Sequence, residues 1–140
     1  MGRTNVQIKV RGFSPYSLIE NYIKLGVLKM NNFNGIGRLT KDADLKYTPN
    51  GVAVAKFTLA IKRNYKNDAG EYESDFINFV AWKKTAEAIA NYTQKGLNLA
   101  VSGRLQSRTY DDTNGGKRFV VEVIVDTVTF IEKKKQPQPQ

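Results

Sequence analysis

Cysteine and histidine are both missing from the 140 residues. Without them there can be no zinc finger, disulfide framework, thiol nucleophile or Ser-His-Asp triad, and most enzyme chemistry is gone. No apolar run is long enough to span a bilayer, and the first residues lack the continuous apolar stretch of a secretory signal. A cytoplasmic address is therefore expected. Also missing are a Gly-rich phosphate loop, a GxSxG elbow and a lysine-based nucleophile pattern. The carboxylates do not make up the loss. Asp111-Asp112 lies in a turn rich in Asn and Gly, while Asp42 and Asp44 flank a strand end, which is ordinary turn chemistry. A two-metal nuclease would need more carboxylates to converge. Neither a metal nor a cofactor is expected, and the chain reads as a non-enzyme.

What is present is charge of one sign. Lys and Arg number 22 against 13 Asp and Glu, a formal net charge of +9. Such a balance suggests a polyanionic partner, usually nucleic acid or an anionic membrane. Much of the excess, however, sits at the two ends. Arg3, Lys9, Arg11, Lys24 and Lys29 precede Met30, and Lys133-Lys134-Lys135 falls near the end of the chain. The segment between is only mildly basic. The argument for a nucleic-acid partner must therefore rest on where cations fall along individual strands.

Three parts follow from the pattern. Residues 1–29 form an N-terminal extension. In it Val6, Ile8 and Val10 alternate like a short strand, and Ser14-Pro15 could open a helix carrying Leu18, Ile19, Tyr22 and Ile23 on one face. Because Met30 opens a segment that reads as a complete domain, this extension is expected to be a mis-assigned upstream start or a leader. Residues 30–131 form that domain. Residues 132–140, a lysine run followed by Gln-Pro repeats, have no apolar face to bury and read as a flexible basic tail.

Within the domain, Phe33 to Lys41 reads as a first strand and Tyr47-Thr48-Pro49-Asn50-Gly51 as a turn. On the second strand, from Val52 to about Lys62, Ala53, Ala55, Phe57, Leu59 and Ile61 share one face. Asn67-Asp68-Ala69-Gly70 marks a hairpin loop, and a third strand runs from Asp75 to Trp82. Lys84 to Thr93 is Ala-rich and helical, stopped by Gly96. A fourth strand covers Leu97 to Tyr110, with Leu97, Leu99, Val101, Gly103 and Leu105 on one face. After the turn Asp111 to Gly116, a long β-branched fifth strand runs from Lys117 to Ile131. The fold class is all-β with one short helix. Five strands with the helix between the third and fourth is the layout of an OB-fold, a five-stranded Greek-key barrel.

The candidate functional residues come from strand parity. On the third strand Phe76, Asn78, Val80 and Trp82 alternate with Ile77, Phe79 and Ala81, so one set faces the core and the other is displayed. On the fourth, Ser102, Arg104, Gln106, Arg108 and Tyr110 face away from Leu105 and cannot be core. The second strand ends in Lys62-Arg63-Asn64-Tyr65-Lys66. Taken singly, Phe76 and Trp82 fit a core, Arg104 and Arg108 a solvated face, and Tyr65 and Tyr110 cross-strand packing. Together, cations interleaved with aromatics are what a single-strand binder needs: bases stack on rings and cations follow phosphates.

Longer motifs carry a family resemblance. Asn34-Gly35-Ile36-Gly37-Arg38-Leu39-Thr40-Lys41-Asp42, Tyr47-Thr48-Pro49-Asn50-Gly51 and Ala55-Lys56-Phe57-Thr58-Leu59-Ala60 resemble bacterial and bacteriophage single-stranded DNA-binding proteins. So do Asp75 to Lys84 (DFINFVAWKK) and Gly103 to Tyr110 (GRLQSRTY). The resemblance spans Met30 to Ile131 and looks closest to the Gram-positive and phage branch. It implies an OB-fold homotetramer that binds single-stranded DNA with little sequence preference in replication, recombination or repair, associated with the nucleoid and without catalysis. It places stacking aromatics at Tyr65, Phe76, Trp82 and Tyr110, and phosphate contacts at Arg38, Lys46, Arg63, Lys66, Lys84, Arg104 and Arg108. Asn78 joins them by parity. The acidic, Phe-terminated tip through which family members recruit repair and replication enzymes has no counterpart in residues 132–140. Such recruitment is thus not expected of this stretch. The rival readings are an RNA-binding OB module and a protein-interaction OB domain.

Overall fold

Alternating apolar and polar residues set the strands. The computed structural model, which describes residue 14 and residues 16–135, contains six of them. The chain divides into two units, Met1–Met30 and Asn31–Gln140.

In the first unit the described residues form one helix, α1 (Ser17–Lys24). It starts later than the sequence suggested. Ser14 does not cap it from the N-cap position. Instead the Ser14 carbonyl accepts from the Ser17 N–H, and its Oγ accepts from the Tyr16 N–H. The short strand expected around Val6, Ile8 and Val10 lies outside the described residues.

The second unit contains β1 (Phe33–Leu39), β2 (Asp44–Tyr47), β3 (Ala53–Lys66), β4 (Tyr72–Trp82), α2 (Lys83–Tyr92), β5 (Asn98–Asp111) and β6 (Lys117–Phe130). The strand order is β1-β5-β6-β4-β3-β2, and β1 also pairs with β3. That extra pairing closes β1, β5, β6, β4 and β3 into the five-stranded OB barrel, with β2 added on the outer edge of β3. One pair in the ring is parallel, β4 with β6, through Phe79↔Val123 and Val80↔Ile124. Expected and observed turns agree at Gly51, Gly70 and Gly115, each at positive φ, and α2 falls between the third and fourth barrel strands. The addition is β2.

The core is the inward set that alternation picked out. Ala53, Ala55, Phe57 and Leu59 from β3, Phe79 and Ala81 from β4, and Leu99 and Val101 from β5 are buried, with Ala86 and Ile89 of α2 closing one end. Phe79 is the hub: its ring stacks on Phe57 at 5.3 Å and meets the edge of Phe33 at 5.4 Å. Each such side chain contributes roughly 1.5–3 kcal/mol of burial. Leu105 departs from expectation. It shares the inward face of β5 but is 47% exposed, because the β5–β6 hairpin continues past the end of the barrel.

Candidate nucleic-acid interface

Cross-strand registers stack the outward residues of the barrel into rows. Lys46, Val54 and Trp82 form one row across β2, β3 and β4. The next runs Asp44, Lys56, Val80, Ile124 and Arg104, passing from β2 to β5. Thr58 and Asn78 follow, and Arg38, Ala60 and Phe76 come after them. Directly opposed residues share a face, so Phe76, Asn78 and Trp82 lie on one surface with Lys46, Lys56 and Arg104. Val80, in the same alternating set, is buried and floors the surface.

A groove of about 670 Å³ is sunk into this surface and lined by Lys46, Tyr47, Lys56, Trp82, Arg104 and Arg108 among others. Asn78 and Lys41 line its continuation beside Lys56 and Arg108. Trp82 is 43% exposed and Phe76 67%. Residues of this size at the core would be covered, so both belong to the displayed set. Trp82 ends β4, and Lys83 after it has φ +59, the left-handed region that glycine favours. That residue turns the chain from strand into α2, where Lys84 follows as an exposed residue of the first turn.

Several of the cations have attachments within the protein. Arg104 donates to Gln106 Oε1 at 2.8 Å. Arg108 donates through Nε to the nearly buried Glu122 carboxylate at 3.0 Å, and its guanidinium lies 5.7 Å from the Tyr110 ring centre. The Glu122 contact fixes the guanidinium and leaves its terminal amines for another acceptor. Lys46 makes a 3.5 Å contact with Asp44, both highly exposed. Asn78 accepts from the Thr58 hydroxyl at 2.8 Å, which orients its amide. Arg38 lies on the Phe76 row, but its guanidinium donates to the Gly96 carbonyl at 2.7 Å.

Arg63 stands apart from that surface. It makes a bidentate pair with Asp75 and a third contact with Glu73, on the opposite face of β4 from Phe76. The hydrogen bonds from Arg63 hold the Asp75 carboxyl below the usual carboxylate range, and Asp75 in turn holds the Arg63 guanidinium firmly protonated. An acid with a lowered pKa gives up its pairing only as pH falls through that lowered value, so the clamp is intact at neutral pH. Tyr65, two residues on, is exposed. Asp75→Asn is expected to free Arg63. The log–log salt slope of oligo-dT binding should then steepen by about 0.7, the share of one phosphate contact. An unchanged slope would place Arg63 outside the DNA path.

The candidates expected from the sequence do not include Tyr47, Lys56 or Tyr72. Tyr47 was read as a turn residue, yet it is a strand residue that lines the groove and donates its hydroxyl to Glu87 at 3.3 Å. Lys56 is exposed on β3, between the buried Ala55 and Phe57. Among the described residues no three acidic side chains gather as metal ligands would, and no helix is long and apolar enough to cross a membrane. What the surface offers is a row of flat rings beside fixed cations.

Comparison with known proteins agrees with that chemistry. Residues 30–131 match the model of the single-strand binding protein family. The chain is 53% identical over 105 residues to single-stranded DNA-binding protein 2 of Listeria monocytogenes, covering 75% of this chain and 66% of that protein. It is 52% identical over 99 residues to single-stranded DNA-binding protein A of Bacillus subtilis, covering 71% and 58%. Identity is 48% over 105 residues with single-stranded DNA-binding protein 1 of Streptococcus pyogenes, covering 75% and 81%. The chain thus spans less than two thirds of the Listeria and Bacillus relatives. With the family's model matched along the whole barrel, the chain belongs to the single-strand binding protein family.

Proposed function

We propose that this protein binds single-stranded DNA with little sequence preference and shields it during replication, recombination or repair. Bases stack on Phe76, Trp82, Tyr110 and Tyr65. Phosphates are met by Lys46, Lys66, Lys84, Arg104 and Arg108, and Asn78 supplies a polar contact, while Arg38 and Arg63 are held by Gly96 and by Asp75 with Glu73. The mechanism is capture rather than catalysis: stacking contributes about 1–3 kcal/mol per base and tolerates any sequence, because every base has a π-face. The family's usual homotetramer would set several such surfaces side by side in one particle, at the nucleoid.

The observation that carries this reading is the β4 face. Trp82 and Phe76 are exposed large aromatics on one strand, beside a groove lined by Lys46, Lys56, Arg104 and Arg108. Exposed rings cost solvation unless something covers them, and nucleobases are the cover that also brings phosphates to the cations. Names of relatives support the same partner. Trp82→Ala is the test. Single-strand affinity is expected to fall by about 1–3 kcal/mol with the melting temperature nearly unchanged. A collapsed melting temperature with unchanged binding per folded molecule would make Trp82 a core residue and remove the reading's main support.

A further inference from the structure

The β4 face that carries Trp82, Asn78 and Phe76 continues past Phe76. Two further alternating positions are Ser74 and Tyr72, still on the same side of the strand. Across the hairpin, Lys62 stands opposite Ser74 and Lys66 opposite Tyr72. Both ammonium groups lie 5.6 Å from the centre of the Tyr72 ring, within cation–π range. The ring is still 48% exposed.

A bulge makes this cluster. Continuing the regular ladder from Lys62↔Ser74 would bring Asn64 opposite Tyr72, but the register shifts between Lys62 and Lys66 and brings Lys66 there instead. Glu73 and Asp75, which could have neutralised the lysines, occupy the other face and hold Arg63. The Tyr72 face is therefore cationic, and it lies about 13 Å beyond Phe76 along the strand.

We propose that Tyr72, with Lys62 and Lys66, is a further stacking station for single-stranded DNA, continuing the line that begins at Trp82. The proposal rests on the single-strand reading above. A base that covers the ring displaces an ammonium group from it, and the displaced ammonium pairs with a flanking phosphate. One cation–π contact is exchanged for a base–ring stack and an ion pair, so ring and lysines act as one unit.

The test compares oligo-dT of about 4 and about 16 nucleotides, the ends of the range for one OB fold, with Trp82 fluorescence as the reporter. The short strand, read only where it covers Trp82, does not reach Tyr72. Tyr72→Ala is expected to weaken the long strand roughly 5- to 150-fold, the worth of one stacked base, and to leave the short one unchanged. Tyr72→Phe should bind like wild type. Tyr72→Leu, which keeps apolar bulk for the hairpin but has no π-face, should behave like Tyr72→Ala and separates stacking from folding. Replacing Lys62 and Lys66 with Gln should flatten the salt slope for the long strand by about 0.7 per lost contact. Equal effects of Tyr72→Ala on both lengths, or none on either, would overturn the station while leaving the single-strand reading standing. Failure of the wild-type protein to bind either length would overturn the reading itself.

Discussion

A fourfold rise in salt is expected to weaken oligo-dT binding by about 300-fold. The figure follows from the cations of the displayed surface. Lys46, Lys56, Lys62, Lys66, Arg104 and Arg108 lie along the rows and hairpin that carry Trp82, Phe76 and Tyr72. One phosphate neutralised by each gives a log–log slope of about −4, from −0.7 per phosphate on single strands. Internal partners do not cancel the effect. Lys46 and Asp44 are both well exposed, and such pairs are weak. Arg108 spends one Nε–H on Glu122 and keeps its terminal amines. Titrations at two or more salt concentrations measure the slope directly. A flat salt response would mean that stacking alone holds the strand and that the cations serve only the protein's own surface.

Gly103→Ala is expected to cost the fold more than any surface substitution. A Cβ placed on Gly103 would sit 2.1 Å from the Ile124 carbonyl oxygen and 3.0 Å from its carbonyl carbon, a collision with backbone that no rotamer can relieve. The position sits at the bulge between Ser102 and Gly103, where β5 crosses β6. Ile124 is also one of two residues through which β6 pairs with β4, so pushing it away opens the barrel where only a short parallel pairing closes it. Overpacking of this kind costs about 1–3 kcal/mol or more, which urea unfolding would show as a lower midpoint at unchanged slope. Arg104 faces Ile124 across the same pair, so single-strand affinity should fall with stability. Gly116→Ala is the control: the new methyl would meet only Asp112, at 3.8 Å, and should change stability by less than about 0.5 kcal/mol. Equal midpoints for the two variants would show that β5 and β6 can separate at Gly103 without loss.

The barrel was legible wherever burial is one-sided. β3 alternates strictly over the core, so Phe57 and Leu59 could be assigned inward from the sequence. On β4 parity separated Phe76, Asn78, Val80 and Trp82 from Ile77, Phe79 and Ala81, but burial of Phe79, Val80 and Ala81 in succession breaks the alternation there. Where a strand buries little, the signal fades. β2 has four residues and only Leu45 is half-buried, so it was hidden between a strand end and a turn. The first residues of β4, Tyr72-Glu73-Ser74, bury no apolar side chain, so the strand signal in the sequence begins only at Asp75. That missing turn of alternation concealed Tyr72. Pairing partners across a hairpin depend on register, and a bulge changes register without changing composition. The attachment of Arg63 to Glu73 and Asp75 was for that reason unreadable, as was the approach of Lys66 to Tyr72. Leu105 could be assigned to the inward face but not to the exposed stretch beyond the barrel, because strand periodicity does not say where a barrel ends.

The central claim is that Trp82 belongs to a base-stacking surface, and as the only tryptophan it reports on itself. The decisive measurement is its fluorescence during titration with oligo-dT and, separately, with a duplex of equal length, at low and raised salt. Strong quenching by oligo-dT, little by duplex, and a loss of affinity with salt are expected. Equal quenching by both, or none by either, would contradict a single-strand surface at Trp82 and leave the exposed aromatics of β4 to another partner.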